Sequence, residues 1–487
     1  MGVGLSDYAV EGMGEMAATD MQELQKALAA TELRGSDVSA SSGAPLKVES
    51  LENILKIITF QESDIQFWKR IPKLPAFNTV EEYNQLVSVG SGRGGFTNEG
   101  ELGEEDDSTY VRKAQLVKFI NKVKSVTHPM QLVNTMVGNI IQRETKNGTL
   151  EVLRIADKAL TFGDSSIIPQ EWNGLYKQHF DGFAGTLDQY QDSNSVVDLR
   201  GKALTEAAIE SAQLGIIENY GEGNLLAAAP VVLSNFVKRF HESKLIQPAA
   251  PYTTAGVMGQ RVKTFASQFG DIELMYDKFM KQDPPRYVSA AKLSPKAPEA
   301  IIPDGVTPVA ATVDTLNRFG TAFAGDYFYA VASVNRYGEG PLTALSAGTI
   351  AITSAKSGDV KFADGGGTYP ATGYRVYRSQ ANPATVIGTT PMYPLFSVSV
   401  AQLAAGYDGA GAGIVRDRNR FIAGTEQALL IQNNDECYSF KQLAPLMKMD
   451  LALLAPAVRF MILLYGTPQL YAPRKATRLI NIGSDLT

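Results

Sequence analysis

Residues 442–482, QLAPLMKMDLALLAPAVRFMILLYGTPQLYAPRKATRLINI, restrict what this chain can fold into more than any other stretch. The apolar run at 451–464 is dense enough to suggest a transmembrane helix. A spanning helix needs roughly 20 uninterrupted apolar residues, and here Pro456, Arg459, Gly466 and Pro468 interrupt the segment. Arg459 would sit near mid-bilayer, at a cost of about 2.5–3.5 kcal/mol on insertion scales. RFMILLYG is short, apolar and bounded by Pro and Gly, and reads instead as a strand covered on both faces. Other parts of the chain must then supply the covering layers. The stretch closes with a basic group, Arg474, Lys475 and Arg478.

At 487 residues, the length suggests about three domains. Apolar residues at 44% and charged residues at 20% provide ample material for a core. The net charge of −6 leaves no global basic footprint for nucleic acid. A single cysteine, Cys437, excludes an intrachain disulfide, so stability must come from packing or assembly. The three histidines, His128, His179 and His241, are too dispersed to suggest a metal site or a catalytic triad. MGVGLSDYAVEGMGEM has neither the basic nor the apolar region of a secretory signal. MGVGLS matches a myristoylation pattern that is short and common.

Taken in order, residues 16–33 form a helical candidate, followed by the linker GSDVSASSGAP. Such an arm buries too little apolar surface to order itself without a partner. From Val48 a helix and then an extended segment are expected, with Phe67 and Trp68 as anchors. Strand-like runs at 80–89 and 110–126 flank a Gly-rich, acidic connection at 90–108, a pattern that predicts a protruding hairpin. A long helix follows over 128–162, with Val133, Met136, Val137, Ile140, Ile141, Val152, Leu153, Ala156, Ala159 and Leu160 on one face. Lys146-Asn147-Gly148 is expected to kink or split it, and Gly163 to stop it. A second helix is predicted from Thr205 to Tyr220, burying Ile209, Ala212, Ile216, Ile217 and Tyr220. Residues 226–233 then read as a buried strand, Ser234 as the cap of a short helix, and 271–280 as another strand. Composition turns Gly-, Ala-, Thr- and Pro-rich at 295–420, with short alternating strands, as in an inserted β-sandwich. That module ends near Arg416-Asp417-Arg418.

Motifs for chemistry are few. GSGRGG at 90–95 fits G-x-G-x-x-G, but FTNEGELGEEDD follows it where a nucleotide-binding unit needs a helix. The acidic run 99–107 lacks the alternating spacing of a calcium loop. It reads as a solvated loop, or as a contact for a basic patch on another subunit. The candidate inter-subunit contacts are Arg93, Glu99, Glu101, Glu104 and Glu105 on the loop side and Arg474, Lys475 and Arg478 on the basic side. Cys437 has no histidine near it in sequence and reads as a buried or idle thiol. No catalytic, cofactor-binding or metal-binding residue is assigned, and the chain does not read as an enzyme.

The order of elements resembles the major capsid protein of tailed bacteriophages, the Hong Kong 97-type fold. Three blocks carry the likeness. They are TFGDSSI (161–167) with FDGFAG (180–185), the helix-to-strand block at 204–240, and LAPLMKMDLA, LLYG and YAPRKATRLINI within 442–482. The last is similar to the closing segment in the Twort-like group of contractile-tailed phages, which also carries an inserted β-rich module. YFYAVASVNRYGEG and GYRVYRS resemble fibronectin type III strands in reversed order, so a β-sandwich or Ig-like module is expected without that strand topology.

The resemblance implies an α+β chain with an N-terminal arm at 1–60 and an extended hairpin at 78–127. It places a peripheral domain with a spine helix at 128–200, an axial domain at 201–294 and the inserted β-sandwich at 295–420. The chain would return to the axial domain at 421–456 and end in closing strands of the peripheral domain at 457–487. It further implies assembly with copies of itself, as hexamers and pentamers, into an icosahedral shell around double-stranded DNA. Assembly would take place in the host cytoplasm, with portal, scaffold and cement or decoration proteins as further partners and no membrane. Apolar residues 451–464 would pack under the spine helix at Val133, Met136 and Ile140. A surface adhesin or glycan-binding protein built on the sandwich is the alternative. It predicts a secretion signal and a terminal module, whereas this module is internal.

Overall fold

The computed structural model describes residues 59–90, 96–103, 105–132, 139–183, 186–243, 262–310, 316–354, 356–383, 386–452 and 456–484. The helix expected at 16–33, most of the arm, Arg93, Glu104, Val133, Met136 and Val137 lie outside these residues.

The 442–482 stretch forms strands, and they divide between two sheets. Tyr438–Asp450 and Ala457–Leu470 pair antiparallel, with Tyr438 opposite Leu470 and Asp450 opposite Phe460. Lys118–Thr127 adds to one side of this pair and the short Lys73–Pro75 to the other, giving a four-stranded sheet. The helix Ile140–Phe162 covers one face, packing Val152, Leu153, Ala156 and Leu160 against Phe440, Phe460, Ile462 and Leu464. Glu151 on the helix meets Lys122 and Lys124 of the sheet at 2.9 and 3.1 Å. The sheet-facing part of the predicted stripe thus runs from the partly buried Ile141 to Leu160, with Val152, Leu153, Ala156, Ala159 and Leu160 buried.

The helix runs through Asn147-Gly148 without a break. Glycine is required there by proximity: a Cβ on Gly148 would stand 2.5 Å from Ile462 Cδ1. Asn139 caps the start by accepting from the Ile141 and Gln142 amides. Gly163 ends the helix with a negative φ, so close packing selects it: a Cβ would lie 2.5 Å from Ala159 O and 2.6 Å from Trp172 O.

The final strand, Ala476–Ile482, leaves the first sheet and joins a second one of six strands. Their order is Val196–Asp198, Ala476–Ile482, Glu426–Ile431, Leu225–Ala228, Gly270–Tyr276 and Thr264–Ser267. Alternate residues of this sheet enter different cores. Ala227, Leu429, Ile431 and Ala476 face the core under the long helix. Leu226, Ala228, Leu430 and Leu479 face a second core with Ile209, Ala212, Ile216 and Phe236. Covering on both faces explains why LLAA and ALLI are apolar without alternation. The boundary read at 456/457 therefore falls between two paired strands of one sheet, and the segment 457–487 serves both sheets.

Other local expectations are corrected by packing. The 110–126 run is two strands, Thr109–Leu116 and Lys118–Thr127, because the chain changes partner at Val117. Thr205 caps Glu206–Ile217 as expected, accepting from the Ala208 amide, but the helix stops before Tyr220. Tyr220 takes a positive φ of 60° and is 93% exposed, so the turn carries it out of the buried stripe. The 226–233 segment is a strand only to Ala228. The helix Pro230–Ser243 then begins at Pro230, ahead of Ser234, since proline has no amide to lose in a first turn. The 271–280 strand ends at Tyr276, where Asp277 accepts from the Phe279 amide and turns the chain.

Phe67 and Trp68 are buried anchors in the core beneath the long helix. Their amides donate to buried carboxylates, Phe67 to Asp277 Oδ2 at 2.9 Å and Trp68 to Asp157 Oδ1 at 2.8 Å. Burial first, and then the charge of Asp277, raise the Asp157 pKa well above the usual carboxylate range.

The composition change at 295 marks a body of short strands. One sheet is built on Tyr329–Asn335, Gly373–Arg378 and Tyr393–Ser399, and another on Ile302–Ala310, Lys356–Ala363 and Ile414–Asp417. Their facing sides share a core of Tyr329, Val331, Tyr374, Val376, Val360 and Val415. The outer side of the first sheet buries Phe328, Ala330, Tyr377 and Met392. The chain ahead of 295 already pairs with these strands: the Arg286 and Met392 amides exchange hydrogen bonds at 2.9 and 2.8 Å, and the Ser289 amide donates to Leu342 O. Contacts with the module thus begin earlier than the composition shift.

Candidate functional site

The hairpin is the first candidate surface. Val80–Ser88 pairs with Thr109–Leu116 from Val80 opposite Leu116 out to Ser88 opposite Thr109, and no residue of either strand is buried. Its base is fixed to the first sheet. Tyr83 Oη donates to Leu470 O at 3.3 Å, its ring meets Tyr471 edge-on at 5.0 Å, and Gln469 Nε2 donates to Glu81 O at 3.4 Å. Burial pushes the Tyr83 hydroxyl up to about 12. Across the two strands Glu82 pairs with Arg112. Two strands without a covered face are at best marginal in water, and beyond these base contacts the ribbon has no core of its own.

At the tip, Glu99, Glu101 and Glu105 are exposed, and Glu101 accepts from Asn98 Nδ2 at 2.9 Å. Beside them Phe96 is 105% and Leu102 95% exposed. Sequence reasoning registered the acids and passed over these two apolar residues. Arg93 and Glu104 lie outside the described residues.

The three basic candidates do not form one patch. Arg474 is exposed and Lys475 half-buried on the short turn Pro473–Lys475. Arg478 lies on the following strand and turns inward, its guanidinium 4.2 Å from the Tyr176 ring centre and its Nε donating to Gln427 Oε1 at 3.0 Å. Strand alternation puts Arg478 on the side of Ala476, facing the core under the long helix.

A second cluster, at the root of the inserted strands, was seen in the sequence only as their end point. Arg378 and Asp417, 2% and 1% exposed, pair at 2.5 Å, and Asp417 also accepts from Tyr329 Oη at 2.9 Å. Arg416 grips Asp359 with two bonds, 2.7 and 3.0 Å. Arg418 and Arg420 share Asp408, at 2.8 and 2.7 Å, and both reach Asp188 in the body. Arg200 Nη1 donates to Asn419 O at 2.9 Å, and Asn481 Nδ2 to Arg420 O at 2.8 Å. On another side Arg375 pairs with Asp283 at 2.8 Å and with Glu339 at 2.5 Å, and Asp283 also holds Lys158 of the long helix. Alternating Arg-Asp-Arg-Asn-Arg at 416–420 was the available signal; its partners are 10 to more than 200 residues away in sequence.

His179 supports this clamp from below. It is fully buried, and Ala476 O at 2.9 Å from Nε2 can only accept, so Nε2 carries the proton and Nδ1 accepts from Tyr190 Oη at 2.6 Å. Tyr190 sits on the same short helix, Leu187–Gln191, as Asp188. Burial lowers the His179 pKa to about 4. Cys437 is buried, and burial raises its pKa. Among the described residues no cluster of three or more His, Cys, Asp or Glu could hold a metal ion. No helix of the described residues is long and apolar enough to cross a membrane.

Comparison with known proteins gives the class of this chain. The chain belongs to the SU10 major capsid protein family, whose model matches residues 41–297, more than half of the chain. It is 25% identical over 460 residues to the major capsid protein of Staphylococcus phage K, covering 92% of each chain. It has the same identity and coverage with the major capsid protein of Staphylococcus phage S25-3. Among solved structures, it aligns with a chain from Mycobacterium phage Adephagia at TM-score 0.44 and 8% identity, covering 93% of this chain and 99% of the other. With the capsid of Myoviridae phage XM1 the TM-score is 0.41 at 7% identity, covering 92% and 99%. The protein is a major capsid protein of a tailed phage.

Proposed function

We propose that copies of this chain associate as hexamers and pentamers into the icosahedral head shell of a tailed phage, assembled in the host cytoplasm and enclosing double-stranded DNA. The observation that carries this reading is the hairpin: a nine-residue strand paired at eight positions with none of its residues buried, in a chain whose family is that of capsid proteins. Symmetric assemblies use one such extension many times, each copy lying on a neighbour. The back of the first sheet offers apolar surface for the same purpose, with Phe119, Val123, Met447 and Met449 exposed opposite the long helix. The net charge of −6 suits a container that does not grip DNA phosphates. Scaffold, portal and cement or decoration proteins are the further partners expected.

Electron microscopy of the protein co-expressed with its scaffold tests the reading. Closed shells with capsomers are the expected result, and monomers under every assembly condition would sink it.

A further inference from the structure

A cavity of about 650 Å³ opens where the inserted strands meet the body. Its walls include the rings of Tyr176, Phe180, Phe396 and Tyr407, together with Lys281 and Arg478. Most charges around it are matched within the chain: Asp283 holds Lys158 and Arg375, and Asp188 and Asp408 hold Arg418. Arg478 differs. Its contacts are the neutral Gln427 amide oxygen, the Tyr190 hydroxyl and aromatic rings, and no carboxylate of the described residues lies within ion-pair distance of it. Lys281, exposed at the rim, is in no such pair either, and its charge acts on Glu426 from farther away. An aromatic cavity with Arg478 unmatched by a carboxylate and Lys281 at its rim matched only from a distance favours an occupant with an apolar group next to carboxylates.

One segment of this chain has that chemistry. The hairpin tip places Phe96 and Leu102 in solvent, beside Glu99 and Glu101. Their full exposure shows that the tip does not enter its own chain's cavity. Nine residues of strand span roughly 30 Å, enough to carry the tip well beyond the base of the ribbon.

We propose that the cavity receives the hairpin tip of another copy, with Phe96 or Leu102 between the aromatic walls and Glu99 and Glu101 paired to Arg478 and Lys281. The proposal rests on the assembly reading above, and it adds the receiving site. It would also clip each hairpin to both the body and the inserted strands of its neighbour.

A cysteine pair tests it, because the single natural cysteine is buried. Leu102→Cys combined with Leu187→Cys, the latter lining the cavity, should give chains linked in series on a non-reducing gel of oxidised shells. Neither single variant, nor the double variant kept unassembled, should do so. A charge exchange is the second arm. Arg478→Glu with Lys281→Glu should lower the yield of intact shells roughly tenfold, as for removal of a buried interfacial pair. Adding Glu99→Arg and Glu101→Arg should restore most of it. Shells that form normally without the linkage overturn the docking and leave the capsid reading standing. Failure of the unaltered chain to form shells with scaffold overturns both. Linkage of the cavity cysteine to a cysteine introduced in the 1–58 arm, and not to the tip, would assign the cavity to the arm and also overturn the proposal.

Discussion

The hairpin and the inserted strands are both excursions from the same two-sheet body, and they are stabilised in opposite ways. The hairpin buries none of its strand residues and ends in solvent-exposed Phe96 and Leu102. The inserted strands face each other across an apolar core and bury ion pairs such as Arg378–Asp417 and Arg416–Asp359 at their root. An excursion with its own core can hold a shape alone, and its remaining charges, Arg375 to Asp283 and Arg418 and Arg420 to Asp188, tie it to the body. One without a core takes its shape from what it lies on. The two regions should therefore respond to different perturbations, the module to loss of its own contacts and the hairpin to loss of its neighbours.

The largest effect on the chain itself is expected at Asp417. Asp417→Ala leaves the Arg378 guanidinium buried without its anion and removes acceptors for Tyr329 and Asn419. A loss of about 3–5 kcal/mol follows for breaking a buried pair, read as a lowered denaturant midpoint. Replacing both partners by apolar residues, Arg378→Met with Asp417→Leu, should recover much of it. If the single substitution is silent, the buried pair is not what joins the module's two sheets.

Acid comes next. The His179 pKa lies near 4 in the folded chain against an unperturbed 6.5, so protonation favours the unfolded state. This contribution is complete above pH 6.5 and is lost as pH falls toward 4, amounting to about 3 kcal/mol. Because Tyr190 and Asp188 share one short helix, hydrogen exchange should show residues 187–191 loosening before the hairpin base does. His179→Gln should flatten that pH dependence.

Arg420→Met should cost less, about 1–3 kcal/mol, since Arg418 still reaches Asp188 and Asp408. It should loosen the module from the body while its sheets stay protected, measured by hydrogen exchange at 186–200 against 329–335. The smallest effect on the isolated chain is expected in the hairpin. Leu86→Ser with Val87→Ser, at exposed positions, should change unfolding by no more than about 0.5 kcal/mol and yet reduce shell yield. A large loss of monomer stability there would erase the contrast between the two regions.

Much of this was legible from local pattern. Breakers inside the 451–464 run excluded a spanning helix, the long 90–108 connection between two strand-like runs marked a ribbon, and Thr205 marked a helix start. These signals are short-range, because backbone propensity, caps and hydrophobic period act over a few residues. The capsid resemblance likewise came from the order of such blocks. The same local rules misplaced Tyr220 and Ser234, and they read Gly148 as a break.

What only the tertiary structure decided depends on residues distant in the chain. Whether Asn147-Gly148 breaks the helix was settled by Ile462, more than 300 residues away, which needs the space a side chain would fill. Whether Arg474, Lys475 and Arg478 form one patch was settled by strand alternation, which turns Arg478 inward beneath Tyr176. The partners of the 416–420 arginines come from the body and the module alike. The opening stretch shows both kinds of determination. Its apolar run dictated buried strands, because apolar surface must leave water and backbone groups must pair. The assignment of its last strand to the second sheet was made by the partners already there, Glu426–Ile431 and Val196–Asp198.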